Sequence, residues 1–359
     1  MKVALTYIAL RLANFLAFTA YMRLHHRSWS HVFYRWDAQW YESVATHGYN
    51  YVAHDKDRIL SNEAFFPLFP YLEKLVSKIT SISYINSGVL ISGLSGLVAA
   101  LMIYKSVKVF ATESVAFLTV VIWALLPISY VQMLSYSETL FTALCATALY
   151  FSLKKSFLTS ALFASLAGLT RPSGLAVSIA VMVATLLYIG RHRYSRRDPA
   201  AVLAIFVAPL GWLGFVGYLA IKHHNIFAYF QIQRNWNNGF DGGLHFLQWI
   251  WGQFSHHSFT GLLLVLGVLF AFLLLVSAIR NGQPTEFLIF SAAIVFISFT
   301  TSGYFGSKPR YLMPAFPLLI PLAQWLASRG SFQRRLLLTI FGTVGLAASV
   351  ITLAGNGPP

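Results

Sequence analysis

The chain has 359 residues, 57% of them hydrophobic and 10% charged, with a mean hydropathy of +0.63 and a formal net charge of +15. An average soluble domain carries roughly 25% charged residues, so this composition excludes a soluble globular protein and describes an all-α polytopic membrane protein. The basic excess does not mark a nucleic-acid partner: lysines and arginines are distributed among loops bordering apolar runs, where anionic headgroups or a lipid-borne phosphate are the natural counter-charges.

A span needs ~20 mostly apolar residues. Eleven such runs follow one another, at about 3–22, 86–104, 114–131, 138–153, 157–170, 174–190, 199–221, 259–279, 285–300, 312–327 and 336–354. They make residues 1–359 one integral membrane domain without an evident repeat. The first run carries Arg11 and Asn14 and lacks a small-residue cleavage pattern before residue 25, so it reads as a retained span rather than a signal peptide. The single cysteine, Cys145, lies inside a run and reads as a small packed hydrophobe that forms no intramolecular disulfide.

With the N-terminus inside, thirteen of the 26 basic residues fall in short cytoplasmic turns, including the RHRYSRR cluster at 191–197. Residues 23–85 and 222–258 then become two large extracytoplasmic loops. Eight of the eleven acids share that side: Asp37, Glu42, Asp55, Asp57, Glu63, Glu73, Glu138 and Asp241. The working surface is expected to face away from the cytoplasm.

In the first loop, Phe33, Trp36, Asp37, Trp40, Tyr41 and Val44 fall on one stripe of a helix, with Asp37 its only charge. A carboxylate on such a face needs a cation or a hydrogen-bond donor to stay charged, and partly buried carboxylates make general bases. Two blander readings compete: Asp37 as the N-cap of a helix beginning at Ala38, or as one end of a structural bridge to Arg35 or a distant arginine. Gly48 should terminate the helix. A polar turn over 54–58 follows, and then Asn62–Pro70, whose prolines favour extended geometry at Phe66 and Phe69. Beyond Pro70, Leu72, Leu75, Val76 and Ile79 oppose Glu73, Lys74, Ser77 and Lys78, the pattern of an interfacial amphipathic helix.

Later candidates carry the same competition. Ser135 and Glu138 fit a capping box, and Asp198–Pro199 and Pro284–Glu286 read as helix starts. Arg171 suits either snorkelling or anion binding. Lys308 and Arg310 suit either interfacial anchoring or a lipid phosphate. The second loop, with Arg234 among its aromatics, suits a sugar or lipid cleft or an aromatic belt. No histidine spacing matches a metal motif.

The RWDA run at Arg35–Ala38, the HGY run at His47–Tyr49 and the AFFPLFP run at Ala64–Pro70 resemble, in order and approximate spacing, the first-loop signature of the PIG-V-like mannosyltransferases. These enzymes add the second mannose in GPI-anchor synthesis, and they have compact prokaryotic relatives. Thr170–Gly174 and Lys308–Tyr311 look like later segments of that family. The resemblance implies a GT-C glycosyltransferase fold with about eleven transmembrane helices and two interfacial helices in the first loop. It also implies a polyprenyl- or dolichyl-phosphate sugar donor and a glycan or glycolipid acceptor, with Asp37 at the family's catalytic aspartate.

The chemistry expected on that basis is inverting, single-displacement transfer, with Asp37 as general base and His47, Glu63, Trp36 and Tyr41 orienting the acceptor. Arg171, Lys308, Arg310 and Arg234 are the candidates for the donor phosphate. No cofactor is required by this scheme, and the sequence leaves open whether a divalent cation assists. The expected location is the plasma membrane, or the endoplasmic reticulum membrane in a eukaryote. The competing function is a transporter or flippase for a lipid-linked or anionic solute. Against it, the spans contain almost no charge except Arg11, whereas coupled transport commonly places ionisable groups near mid-membrane.

Overall fold

A computed structural model describes residues 1–26, 28, 30–55, 58–191, 198–256 and 259–354. Most of the basic cluster at 191–197 lies outside the described residues. The chain opens with α1 (Lys2–Leu24), a short α2 (Ser30–Phe33) and α3 (Asp37–His47). Strands β1 (Val52–Asp55) and β2 (Arg58–Ser61) pair antiparallel, Val52 opposite Ser61, before α4 (Leu68–Thr80). Four helices follow: α5 (Tyr84–Lys108), α6 (Glu113–Leu125), α7 (Glu138–Leu153) and α8 (Phe157–Gly168). Then come α9 (Gly174–Arg191), α10 (Pro199–Val207), α11 (Leu210–Lys222), α12 (Ala228–Asn235) and α13 (Leu244–Ser255). The chain continues through α14 (Phe259–Arg280), α15 (Thr285–Thr300), α16 (Lys308–Leu312), α17 (Ile320–Ala327) and α18 (Ser331–Ala354).

Every one of the eleven expected spans contains helix. Six are long and apolar enough to cross a bilayer: Lys2–Leu24, Tyr84–Lys108, Gly174–Arg191, Pro199–Lys222, Gly261–Arg280 and Ser331–Leu353. The other five are shorter apolar helices of 10–17 residues. Their brevity has visible causes. Pro127 follows α6, where the chain becomes 3-10 over Ser129–Met133, and Pro314 and Pro317 break the run ahead of α17, which takes Pro321 into its first turn. Asp198 caps α10 by accepting from the amides of Ala200 and Ala201, with Pro199 in the first turn.

The core lies among α5, α6, α7, α8, α9, α15 and α17. The buried face of α5 is largely small, with Ser87, Gly88, Ser92, Ser95, Gly96, Ala99 and Ala100. Such residues let helices approach closely where lipid supplies no hydrophobic drive. A Cβ at Gly96 would collide with the Tyr7 hydroxyl, and one at Gly88 with Ser135 and Glu73. Arg11, the charge within the first span, serves the broken end of α6: it donates to the carbonyl of Ala124 and, at 2.8 Å, to that of Ser129. The outward faces of α14 and α18 are exposed and apolar, with Leu266, Leu269, Leu273, Leu336, Ile340 and Val344 among them, as lipid-facing helices require.

The first loop departs from the expected geometry in four places. The aromatic stripe is not one helix, because the chain breaks between α2 and α3 and Trp36 takes a left-handed φ of 60°. Of the turn expected over 54–58, His54, Asp55 and Arg58 lie in the paired strands β1 and β2, and residues 56 and 57 fall outside the described residues. Phe69 is helical, since α4 begins at Leu68 and Pro70 sits in its first turn, where a missing N–H costs nothing. Finally, α4 turns Glu73 inward with Phe69 and Pro70, leaving Leu75 and Ile79 exposed. Burial pushes the Glu73 carboxyl well above its ordinary range, against a 2.5 Å hydrogen bond donated by Ser135.

Candidate active site

The break at Trp36 decides where Asp37 goes. Left-handed φ is an outlier for a bulky residue. Here it turns the chain so that α3 begins at Asp37, with Trp36 itself left exposed. Asp37 is therefore the first helical residue and not an N-cap ahead of Ala38. Ala38, Tyr41, Val44 and Ala45 form the buried face of α3. Arg35 donates to the carbonyl of Leu353 at 2.5 Å.

The partner is Arg310, on α16, whose Nη1 lies 2.8 Å from Asp37 Oδ2. Arg310 also lies against Glu138, Nε to Oε1 at 3.1 Å, as a charge contact without hydrogen-bond geometry. Arg171 Nη1 approaches the same Glu138 oxygen at 2.7 Å and donates to Ser137 Oγ at 2.9 Å. Ser137 in turn shares a 2.6 Å hydrogen bond with the Tyr41 hydroxyl, and burial raises that phenol above its ordinary range. Two carboxylates and two guanidiniums thus form one network. It is closed everywhere except at Asp37, whose side chain is 23% exposed against 1% for Glu138 and 6% for Arg310.

Aromatic rings frame the arginines. Arg310 stands 5.2 Å from the Tyr136 centroid and 5.5 Å from that of Tyr311, and Arg171 lies 5.8 Å from Tyr311. Burial works against the charge of Arg310, but Asp37 and Glu138 outweigh it and hold the guanidinium well above its ordinary range. The same balance, with Glu138 as the first opposing charge, raises Arg171.

Two blander expectations give way to this network. Ser135 does not cap α7 in a box with Glu138; its hydroxyl is spent on Glu73, and Ser137 occupies the cap position without a side-chain cap bond. Arg171 does not snorkel, since it is buried against Glu138.

Lys308, on the same short helix as Arg310, faces a different way. It is buried, and its Nζ donates to the carbonyl of Thr301 at 2.6 Å, to Thr301 Oγ1 at 3.3 Å and to the carbonyl of Ser302 at 3.4 Å. Among the described residues no carboxylate forms an ion pair with it. Burial lowers its pKa to about 8, against the field of Asp241. Lys308 lines a cavity of about 570 Å³ together with His245, Trp249, Thr301 and Tyr304. The anchoring expected of Lys308 and Arg310 at the interface is thus replaced by burial.

The remaining site candidates lie apart from this network. Glu63 is buried between Lys222 and His223, each at 2.7 Å. His47 is exposed and stacks on Tyr51 at 5.9 Å, while Arg234 is exposed on α12. Trp40, one turn after Asp37, stacks on Phe65 at 5.9 Å and meets Trp236 edge-on at 4.7 Å, so the second loop folds over the first. Among the described residues no group of three or more His, Cys, Asp or Glu side chains is placed to hold a metal ion.

Sequence reasoning missed Glu138, Tyr136, Tyr311 and the Asp241–His245 pair. The only sequence signal for Glu138 was an acid at the mouth of an apolar run, the same neighbourhood assigned to Arg171 and Arg310.

No family model and no curated protein matches the chain. Solved structures do. ArnT from Cupriavidus metallidurans bound to undecaprenyl phosphate aligns with a TM-score of 0.57 at 15% identity, over 98% of this chain and 66% of that one. The Archaeoglobus fulgidus oligosaccharyltransferase tethered to an acceptor peptide aligns at 0.50 and 12% identity, over 98% and 56%. AglB from the same organism, in complex with an inhibitory peptide and a dolichol-phosphate, aligns at 0.50 and 11% identity, over 98% and 56%. At these identities the likeness is one of fold: the chain is a polytopic helical membrane protein of the GT-C fold. It spans 56 to 66% of the length of these neighbours.

Proposed function

We propose that the chain is a membrane glycosyltransferase that moves a hexose, mannose by its first-loop motifs, from a polyprenyl- or dolichyl-phosphate carrier to a glycan or glycolipid hydroxyl. The observation that carries this reading is a partly exposed carboxylate, Asp37, at the edge of an otherwise buried network of charges; Lys308, two residues before Asp37's partner Arg310, faces a neighbouring cavity that Asp37 itself does not line. Neighbours of the same fold were solved with undecaprenyl phosphate and with a dolichol-phosphate, which supports a lipid-phosphate donor.

In this mechanism Asp37 accepts the proton of the acceptor hydroxyl as its oxygen attacks the anomeric carbon. The bond to the carrier phosphate breaks on the opposite face, giving inversion. Arg310 fixes the orientation of the carboxylate. Because Glu138 also draws on Arg310, the guanidinium is shared between two acids. Lys308 holds the donor phosphate from within the cavity. Arg171 acts through Glu138 and Ser137 to keep α7 in register with α3. Trp36, His47 and the aromatic group around Trp40 face the acceptor's approach, and Glu63 stabilises the loop that carries them. The site operates on the extracytoplasmic side, in keeping with the distribution of basic turns.

The test is release and transfer of radiolabelled sugar from polyprenyl-phosphate donors by the purified chain, wild type against Asp37→Asn. A base contributes ~100- to 10,000-fold, so the variant should lose at least ~100-fold in turnover while folding normally. Equal turnover by the two proteins would remove Asp37 as the base, and a wild type that releases no sugar from any such donor would remove the enzyme.

A further inference from the structure

The cavity beside Lys308 has a second ionisable wall. His245 and Gln248, from α13, face Thr301–Tyr304 and Lys308 across it. His245 Nδ1 lies 2.5 Å from Asp241 Oδ2. With Asp241 accepting, Nδ1 carries the hydrogen and Nε2 is the nitrogen left for a ligand. Asp241 is fixed in turn by the amides of Gly243 at 2.9 Å and His245 at 3.1 Å, and its own amide donates to the carbonyl of Thr300 at 3.2 Å. Burial alone would raise the Asp241 carboxyl, but these donors overcome it and hold the pKa below its ordinary value. The pair is therefore anchored to the same 300–302 segment whose carbonyls hold Lys308.

Helix α13 adds a second clue. Leu244, Leu247, Trp251 and Phe254 are exposed along one face, spaced as a stripe that lies in lipid. Beside that stripe His245 and Gln248 are exposed at the cavity, which the more enclosed Phe246 and Trp249 of the same helix also line. A carrier arriving through the bilayer thus meets a lipid-facing helix with a polar edge at the cavity.

We infer that His245, oriented by Asp241, stabilises the departing lipid phosphate in the cavity it shares with Lys308. The inference rests on the glycosyl-transfer reading above and adds to it the group that receives the leaving charge. Before transfer the carrier phosphate is a diester with one negative charge, which Lys308 matches. In transfer the bond from the anomeric carbon to the phosphate oxygen breaks and its electron pair stays on that oxygen. The acceptor oxygen makes the new bond and its proton goes to Asp37. The phosphate becomes a monoester, whose second ionisation lies near pH 6, so at neutral pH it carries more charge than Lys308 alone can balance. His245 meets that increment by donating from Nε2 as an imidazolium, a charge-assisted hydrogen bond to the oxygen that has just been released. Asp241 is a positioning residue: it fixes which nitrogen faces the phosphate.

The test compares two ligands differing in that one charge, undecaprenyl phosphate and its methyl diester, by titration calorimetry on the full chain in lipid nanodiscs. The wild type should bind both. His245→Gln should weaken the monoester about tenfold while leaving the diester within about twofold, and Asp241→Asn should shift the same ratio by less. Equal loss of both ligands would assign His245 a structural role and overturn the inference, as would no loss of either. A wild type that binds neither ligand would overturn the donor reading itself, which distinguishes that failure from this one.

Discussion

Glu63 and Glu138 are both enclosed carboxylates, each flanked by two basic side chains from elsewhere in the chain. Glu63 meets Lys222 and His223, consecutive residues at the end of α11, and Lys222 also donates to the carbonyl of Tyr49. Every partner is satisfied, and the result is a staple between the first loop and the start of the second. Glu138 meets Arg171 and Arg310, which come from separate segments and are themselves buried, and Arg310 continues to a second acid. The difference lies in how the two chains of charge end. One closes on backbone oxygen, and the other ends on Asp37, which a substrate can reach.

Variants can break or sharpen this contrast. The largest effect on turnover belongs to the open end: Asp37→Asn should remove at least ~100-fold, with a smaller loss of thermal stability than removal of Glu138, because Asp37 is the partly exposed member of the network and Glu138 remains to balance Arg310. Next is the hub. Glu138→Gln leaves two buried guanidiniums with one carboxylate, and breaking a buried pair costs ~3–5 kcal/mol, so thermal unfolding in detergent should shift sharply downward and activity with it. An unfolding midpoint equal to wild type would show that Glu138 is not the hub.

The third variable is pH. Lys308 loses its proton as pH rises through about 8, so the donor KM should be constant below that point and rise above it. An arginine at position 308 would remain charged and carry the low-KM range upward; a profile unchanged in that variant would detach the rise from Lys308. The smallest effect should come from the staple. Glu63→Gln removes one acid between partners that are partly solvated, an expected cost of ~1–3 kcal/mol, with turnover within twofold once the protein is folded. Loss of turnover without loss of stability would move Glu63 into the site.

Parts of this arrangement were legible in the sequence because they are local. Apolar runs locate all eleven helical stretches, and Gly48 and Asp198–Pro199 mark helix ends for reasons of backbone geometry. Asp37 stood out as a charge on an aromatic face, although that face proved to be interrupted at Trp36. Glu138 did not stand out, because an acid near the start of a helix suits a capping box as well as an ion pair, and the choice depends on Arg171 and Arg310, far along the chain. The inward turn of Glu73 had the same origin: α4 is amphipathic by count, but of its apolar stripe Leu72 and Val76 pack only partly against Tyr41, Phe69 and Ile91, Leu75 and Ile79 are exposed, and its acid is enclosed against Ser135. Periodicity predicts that two faces differ, not which one meets the protein when lipid competes for the apolar side.

Arg11 carries a consequence for biogenesis. A guanidinium at the centre of a span adds ~2.5–3.5 kcal/mol to the cost of membrane insertion, and the carbonyls that compensate it, Ala124 and Ser129, are synthesised more than a hundred residues later. This helix therefore leaves the ribosome with its polar requirement unmet, and its final seat is settled only when the end of α6 arrives beside it.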